Sequence, residues 1–341
     1  MVMNSQQRVL TALRGQQPDR VPFCELVIDR SLARQLMGWD EVDKPTSMET
    51  TPYTVEEAKA VASFLKIDNI SYILRAPIYC QKGIGKDGRV FYGEGLIKTE
   101  ADLAMLDLPN PYNDALYVEA EEFIRQKGDF SAWFITRVGI SPTILGMGTT
   151  NFSFALYDNL SLIEEIFDRY CEWACVVAER ACQLGFEVFA TTDDVAFKTN
   201  TFFSPEVFRE LVMPRFERVA EIVTIPWVIH SDGNMHPFMD DLLTLDISGF
   251  HPNEKGAMDI RAMKRDYGDR LCLLGNVDLV TLGMGTPEEV EAEVRALIRD
   301  IGPGGGYILS SGNSLAGYLR PENVLAMSAA VQKYGRYPLD L

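Results

Sequence analysis

Eight short apolar runs, separated by amphipathic stretches and each followed closely by polar residues, constrain this chain more than any other feature. They are VPFCELV at 21–27, NISYIL at 69–74, AWFITRV at 132–138, FEVFATT at 186–192, PWVIH at 226–230, ISGFH at 247–251, LCLLGN at 271–276 and GYILSS at 306–311. A strand that is apolar along its whole length is buried on both faces, the habit of parallel sheets covered by helices. The stretches between the runs have helical character, most clearly at 160–184, 204–223, 257–267 and 286–300. Two of these open with Ser or Thr followed by Pro and Glu, which is a cap, a first-turn proline and an acidic first turn in order. Eight strands alternating with helices in 341 residues predict an α/β chain folded as a single (β/α)8 TIM barrel over 1–341, in preference to an open doubly wound sheet. Between 75 and 112 the rhythm breaks, and a Lys86-Asp87-Gly88 turn between two strand-like runs predicts a β-hairpin excursion after strand 2.

Charge and cysteine usage narrow the function. With 49 acidic against 32 basic residues the formal charge is −17, and such a surface repels a phosphate backbone, so nucleic acid is excluded as a partner. No stretch approaches the length of an uninterrupted apolar membrane span, and MVMNSQQRVLTALRG lacks the pattern of a signal peptide. The six cysteines, at 24, 80, 171, 175, 182 and 272, form neither a disulfide framework nor paired zinc knuckles, which fits a reducing, cytoplasmic setting. Small molecules and other proteins remain as partners; a homodimer is one option the sequence leaves open.

In a barrel of this type the active site forms where the strands end at their C-termini. The residues following the apolar runs are Asp193 and Asp194, His230 and Asp232, His251, Asn253 and Glu254, Asn276 and Asp278, and Ser310, Ser311 and Asn313. His230 and Asp232 sit two apart, so both can project from one side of an extended strand end and share a metal with a third ligand such as Asp194 or Glu254. A purely structural use is open too, with Asp232 starting a turn at DGN and His230 bonded to it. In TTDD at most one acid reaches the site, and Asp194 is favoured over Asp193. For Glu254 a pair with Lys255 on a solvated loop is favoured over a place in the site. Arg137 suits a carboxylate or phosphate on a ligand, or an ion pair with a rim acid. Asn276 and Asn313 are candidate substrate-binding groups, and Phe203, among the aromatics at 152–157 and 202–203, is a candidate wall of an apolar pocket. The GPGGGY run at 302–307 precedes its strand and reads as a tight turn, and Cys171, Cys175 and Cys182 share one helix face and read as packing.

Several motifs together resemble the uroporphyrinogen decarboxylase superfamily: RVLTALRGQQPDRVPF at the start, FFSPEVFRELVMPRF at 202–216, LLGNVD at 273–278, GPGGGYILSSGNS at 302–314 and PENVLAM near the end. The resemblance covers almost the whole chain and implies a (β/α)8 barrel with its cleft at the strand C-termini. The arginine-rich R-Q-A-G-R-Y motif that holds substrate carboxylates in the true decarboxylases is replaced here by CELVIDRSLARQL. The other large branch, the corrinoid-dependent methyltransferases, holds zinc with an H-x-C pair after strand five and a Cys after strand eight. This chain matches the histidine with His230 and offers Asp232 and Asn313 for the two cysteines. A zinc site of His230, Asp232 and Glu254 or Asp194 is implied, with harder ligands that suit an oxygen substrate. The resemblance thus implies a methyltransferase component moving a methyl group from an O-methyl donor, an aromatic methyl ether among the options, to the cobalt of a corrinoid on a partner protein. His230, Asp232 and Asp194 would be the catalytic residues. Two alternatives stand beside it: a carboxy-lyase acting on a small acid, with Asp194 or Asp232 stabilising a protonated intermediate, and a catalytically silent binding barrel.

Overall fold

The computed structural model describes residues 2–40, 49–85 and 90–340. Its centre is a seven-stranded sheet made of β1 (Asn69–Ile73), β4 (Ser131–Thr136), β5 (Val188–Thr192), β8 (Trp227–His230), β9 (Gly249–His251), β10 (Cys272–Leu274) and β11 (Tyr307–Ile308), paired in that order. Every pairing is parallel. Seven of the eight expected runs therefore contain a strand, each buried on both faces as its composition requires.

The first expected strand, 21–27, does not form, and the reason is local. Phe23 makes a single parallel bridge to Leu309, and Pro22 has no N–H to extend a ladder. Towards β1 the backbone partner is largely replaced by a side chain, because Asn69 Oδ1 accepts from Glu25 N and Asn69 Nδ2 donates to Glu25 O. The segment still bonds to both neighbours, through Cys24 N to Leu309 O and Asp68 N to Phe23 O.

An antiparallel pair, β2 (Cys80–Ile84) and β3 (Val90–Gly95), follows β1; the turn expected at Lys86-Asp87-Gly88 lies outside the described residues. A shorter pair, β6 (Ala196–Phe197) and β7 (Asn200–Thr201), follows β5. The helix Leu160–Leu184 occupies its expected range. The helix expected at 204–223 is instead broken into Pro205–Val207, a wide-turn stretch Phe208–Val212, and Met213–Ala220. Pro214 lies at the start of the last piece, where its missing N–H interrupts the regular ladder. Ser204 and Thr286 cap their helices as expected, accepting from Val207 N and Glu289 N.

Alternate residues of the strands point inward and form a core of their own, among them Ile73, Trp133, Ile135, Ala190, Val228, Leu274 and Ile308. Val9, Ala12 and Leu13 of the helix Ser5–Leu13 join it. The outward residues pack against the helices, with Tyr72, Phe123, Phe134 and Phe186 in mutual ring contact. At the strand N-termini the buried Asp68 carboxylate accepts from Arg8, Arg20, Ser5 Oγ and the N–H of Phe23. Arg8 also grips both oxygens of Asp19.

Candidate functional site

The inner core fills the sheet up to the level of Ile73, Ile135, Ala190 and Val228, and the next residues inward open onto a cleft. That cleft has a volume of about 520 Å³ and is lined by Arg75, Arg137, Ser141, Thr192, Asp194, His230, Asp232 and Asn313, with Val90 and Tyr92 of β3 and Asp29, Arg30 and Ser31 on its walls. It lies at the C-terminal ends of the strands, where extended chain gives way to loops and side chains are free to face a ligand.

His230 ends β8, pairing Thr192 on one side and His251 on the other. Three residues on, Gly233 has φ 89° and passes so close to Ala196 that a Cβ would stand 2.5 Å from its carbonyl carbon. Only glycine permits that turn, and the turn brings Asp232 back over the strand end. The Asp232 N–H donates to Asp194 Oδ1 at 2.9 Å, while Asp194 is itself fixed by its N–H to Ser141 Oγ at 2.7 Å. Asn313 Nδ2 donates to Asp232 Oδ2.

These bonds leave His230 Nε2 3.8 Å from Asp194 Oδ1 and 3.9 Å from Asp232 Oδ1. One donor atom from each of the three residues lies within 4.8 Å of the others. Behind them, His230 Nδ1 stands 2.7 Å from Nδ1 of the fully buried His251. Two ring nitrogens at that distance share one proton, one donating and the other accepting. The Ser311 backbone faces the His251 ring, and burial, followed by the charge of His230, holds His251 well below the usual histidine pKa. With His251 neutral and its proton on the far nitrogen, the tautomer that a cation at the cluster would require, its Nδ1 accepts from His230 and the lone pair of His230 Nε2 faces two carboxylates. Asp232 Oδ1 is buried with no hydrogen-bond partner among the described residues. Burial pushes the Asp232 carboxyl up to about 6, with Asp194 and Glu254 adding to the rise and His230 and Asn313 opposing it. A lone pair and two acidic oxygens converging without a donor between them is an arrangement that a cation stabilises, and one imidazole with two carboxylates is a sound donor set for Zn²⁺.

The expected site residues divide. His230, Asp232, Asp194, Asn313 and Arg137 meet in the cleft. Glu254, expected as a third ligand, accepts from Gly233 N and faces Lys198 at 3.4 Å, and Asp194 stands where a third ligand is needed. Asn276 donates to Asn253 O and lines a separate cavity with Lys255 and Glu293. Phe203 is buried among Phe152, Phe208 and Phe238, a packing position rather than a cleft wall. Asp193 caps the helix Ile140–Met147, accepting from the N–H groups of Val138, Gly139 and Ser141. Among residues the sequence reading gave no role, His251 sets the orientation of His230, and Arg75 lines the cleft beside Arg137. Glu25 joins the 21–27 segment to Ser311. Strand register would have found the first two, because positions aligned across neighbouring strands share a level.

The uroporphyrinogen decarboxylase family model matches residues 88–334. The chain belongs to the uroporphyrinogen decarboxylase family. Similar proteins in the family include the methylcobamide:CoM methyltransferase MtaA of Methanosarcina barkeri, 23% identical over 325 residues that make up 94% of this chain and 81% of that one. A uroporphyrinogen decarboxylase of Methylococcus capsulatus is 36% identical over 260 residues, 70% of each chain. A solved methyltransferase from Methanosarcina mazei superposes with a TM-score of 0.77 at 21% identity, over 97% of this chain and 99% of that one, so the TIM-barrel-like family fold is shared. Both branches of the family match at similar identity over most of the chain, a uroporphyrinogen decarboxylase of Alkalilimnicola ehrlichii at 24% over 96% of it and the methyltransferase MtaA at 23% over 94%.

Proposed function

We propose that this chain is the methyltransferase component of a corrinoid-dependent system, moving a methyl group from an O-methyl donor to a corrinoid on a partner protein. The observation that carries the reading is the convergence of Asp194, His230 and Asp232 in the cleft of a chain similar over 94% of its length to a methylcobamide methyltransferase. His230 Nε2, Asp232 Oδ1 and a carboxylate oxygen of Asp194 would hold a zinc ion. Bound there, zinc supplies Lewis acidity to the departing oxygen, and the partner's corrinoid supplies the nucleophile that takes the methyl group.

The chain's own residues do the positioning. His251 holds the His230 ring by the 2.7 Å nitrogen contact, and Asn313 holds the Asp232 carboxylate. Ser141 fixes the backbone of Asp194. Replacing the thiolates of the methyltransferase branch by oxygen ligands makes the site harder, which suits an ether oxygen better than a thiol. An ether oxygen is a poor leaving group until its developing charge is neutralised; that need is the reason for siting the donor's oxygen at this cluster. Six free thiols support a reducing, cytoplasmic setting.

Two measurements on the purified protein test the reading. Metal analysis after preparation without chelator is expected to find close to one zinc per chain. Incubation with reduced cobalamin and a panel of methoxylated aromatics is expected to convert the cob(I)alamin spectrum to that of methylcobalamin. A metal-free protein that releases carbon dioxide from a carboxylated substrate, and forms no methylcobalamin from any donor, replaces the reading with the lyase.

A further inference from the structure

In the segment where the first strand fails to form, a side chain takes over the ladder. Leu309 N donates to Pro22 O and Cys24 N to Leu309 O, the alternating pattern of a parallel pair. Two residues on, the same pattern calls for Ser311 N to reach Cys24 O and for Leu26 N to reach Ser311 O. Neither bond forms among the described residues. The Glu25 carboxyl takes the first place instead: Ser311 N donates to Oε1 and Ser311 Oγ to Oε2, both at 2.7 Å. Glu25 is itself fixed at its backbone, whose N–H and carbonyl are both bonded to the Asn69 side chain. The ladder resumes only at Leu315, whose N–H donates to Val27 O.

The consequence falls on Ser311 O. With no strand N–H to accept, this carbonyl takes a bond from Ser310 Oγ and keeps acceptor capacity for the barrel interior. Strand alternation places His251 there, because Phe250 packs outward among the helices and His251 follows it on the inner face, paired with His230. His251 Nδ1 is engaged by His230 Nδ1 at 2.7 Å. Nε2 on the far side of the ring is buried and forms no full hydrogen bond among the described residues, and the Ser311 backbone is the polar group that faces the ring and favours a proton on it. A proton at Nε2 leaves Nδ1 of a neutral imidazole an acceptor. A line of contacts thus runs from Glu25 through Ser311 and His251 to His230, and every residue in it is buried. Sealing the gap beside Ser311 would need an acceptor for its N–H alone; the second oxygen, on Ser311 Oγ, fixes the rotamer of that residue as well.

We propose that Glu25 is a positioning residue for the His230 cluster: it replaces the ladder at Ser311 so that the Ser311 carbonyl serves His251 Nε2, which commits His251 Nδ1 to accepting from His230. What this does for a metal rests on the metal-site reading above; the orientation of the two imidazoles does not.

Nitrogen-15 spectra of the 3 histidines, recorded on the metal-free full chain at neutral pH, read the tautomers directly. The parent is expected to carry its protons on His251 Nε2 and His230 Nδ1. Glu25→Leu, which removes both acceptors, is expected to give mixed tautomers at both rings and to weaken zinc binding by up to about tenfold, the lower end of the range for supporting partners of a metal-binding histidine. Glu25→Gln, which keeps an acceptor for Ser311 N, is expected to restore both. A group that only fills the gap beside Ser311 would change the melting temperature and leave the tautomers alone. Parent tautomers retained in folded Glu25→Leu, or a parent with the His251 proton on Nδ1, overturns the proposal. Where Glu25→Leu does not fold, Ser311→Ala removes the hydroxyl donor alone, and exchange of the His251 Nε2 proton is expected to quicken about fivefold for the hydrogen bond lost; an unchanged rate overturns the proposal. Altered tautomers in a chain that binds no zinc leave the positioning role standing and remove the metal reading. Zinc binding by a chain whose tautomers ignore Glu25 does the reverse.

Discussion

At the strand N-termini, Arg8 and Arg20 share the buried carboxylate of Asp68, and Asp19 takes the rest of Arg8. At the strand C-termini, no ion pair among the described residues joins Arg137 to Asp194 or Asp232, and the acids instead converge on His230 with one buried oxygen unbonded. The same residue types thus serve opposite ends. Where each charge is saturated by its neighbours, the group holds a terminal segment in place; where charges of one sign are kept apart from those of the other, the energy of pairing them is left for a ligand.

The largest effect separating the two ends is expected from Asp68→Ala. Removing this carboxylate strands two arginines in the interior, and breaking a buried pair in this way typically costs about 3–5 kcal/mol. Urea unfolding is expected to show that loss, while zinc content in the remaining folded protein stays unchanged. His230→Ala is expected to do the converse, staying folded with a smaller loss of about 1–3 kcal/mol from leaving the buried His251 without its partner. It loses zinc and about 10² to 10³ in methyl-transfer rate, as for other single electrostatic stabilisers. If His230→Ala unfolds the protein, or Asp68→Ala abolishes zinc without lowering stability, the two ends are not distinct in the way described.

The difference between the ends also governs what could be read from the chain. The helix Leu160–Leu184 and the cap at Thr286 were legible because their causes are local: apolar spacing, a capping side chain and a following Gly185. The cleft position of His230, Asp232, Asp194 and Arg137 could be anticipated because each sits at or just beyond the C-terminal end of an apolar run. The failed strand at 21–27 was not, since its competitor is the side chain of Asn69, more than forty residues away in sequence. Nor was the departure of Glu254. Asn253 takes a left-handed conformation, φ 57°, and a turn of that kind carries the next residue off the line of the strand. Arg75 and His251 depend on register, which periodicity within one segment does not encode.

A smaller effect within the C-terminal end is expected at His251. Supporting partners of a metal-binding histidine typically contribute about 10- to 100-fold in affinity, so His251→Leu is expected to weaken zinc binding by that range. His251→Asn, which can offer an acceptor oxygen near the place of Nδ1, is expected to recover part of it. The tautomer gives a readout that needs no metal. The chain has 3 histidines, and nitrogen-15 spectra of the metal-free protein are expected to show His230 protonated on Nδ1 in the parent and in His251→Asn. A His230 protonated on Nε2 in the parent removes the role given to His251.

Glu25 lies between the two ends and belongs to neither pattern. It is buried, and burial pushes its pKa up to about 8 although Ser311 donates to both of its oxygens. A carboxyl raised on folding holds its proton longer in the folded chain than in the unfolded one. It therefore imposes no ionisation penalty below the ordinary glutamate range and a growing one from there up to about 8. Stability is expected to fall across that window at a slope of up to about 1.4 kcal/mol per pH unit. Glu25→Gln, a neutral isostere of the protonated carboxyl, is expected to match the parent at pH 5 and to exceed it increasingly as pH rises toward 8. Parallel pH profiles for the two proteins would assign the slope elsewhere.

The smallest effect is expected from Glu254→Gln, and it sharpens the comparison because the sequence offers Glu254 beside Asp194 as the third ligand. One of its oxygens accepts from Gly233 N at 2.8 Å and the other faces Lys198 at 3.4 Å. The amide oxygen of glutamine can keep the first bond, and the second is a solvent-facing ion pair of the kind worth at most about 1 kcal/mol. Glu254 does raise the Asp232 carboxyl through its charge, so neutralising it slightly eases ionisation of Asp232 and leaves the three-residue cluster otherwise intact. Zinc content at neutral pH is therefore expected to equal that of the parent, with the unfolding midpoint moved by less than about 0.5 kcal/mol. Stoichiometric loss of zinc in Glu254→Gln, with the fold retained, would make Glu254 a ligand after all. The cluster would then close differently when loaded, with the turn at Gly233 opening to release the carboxylate it now binds.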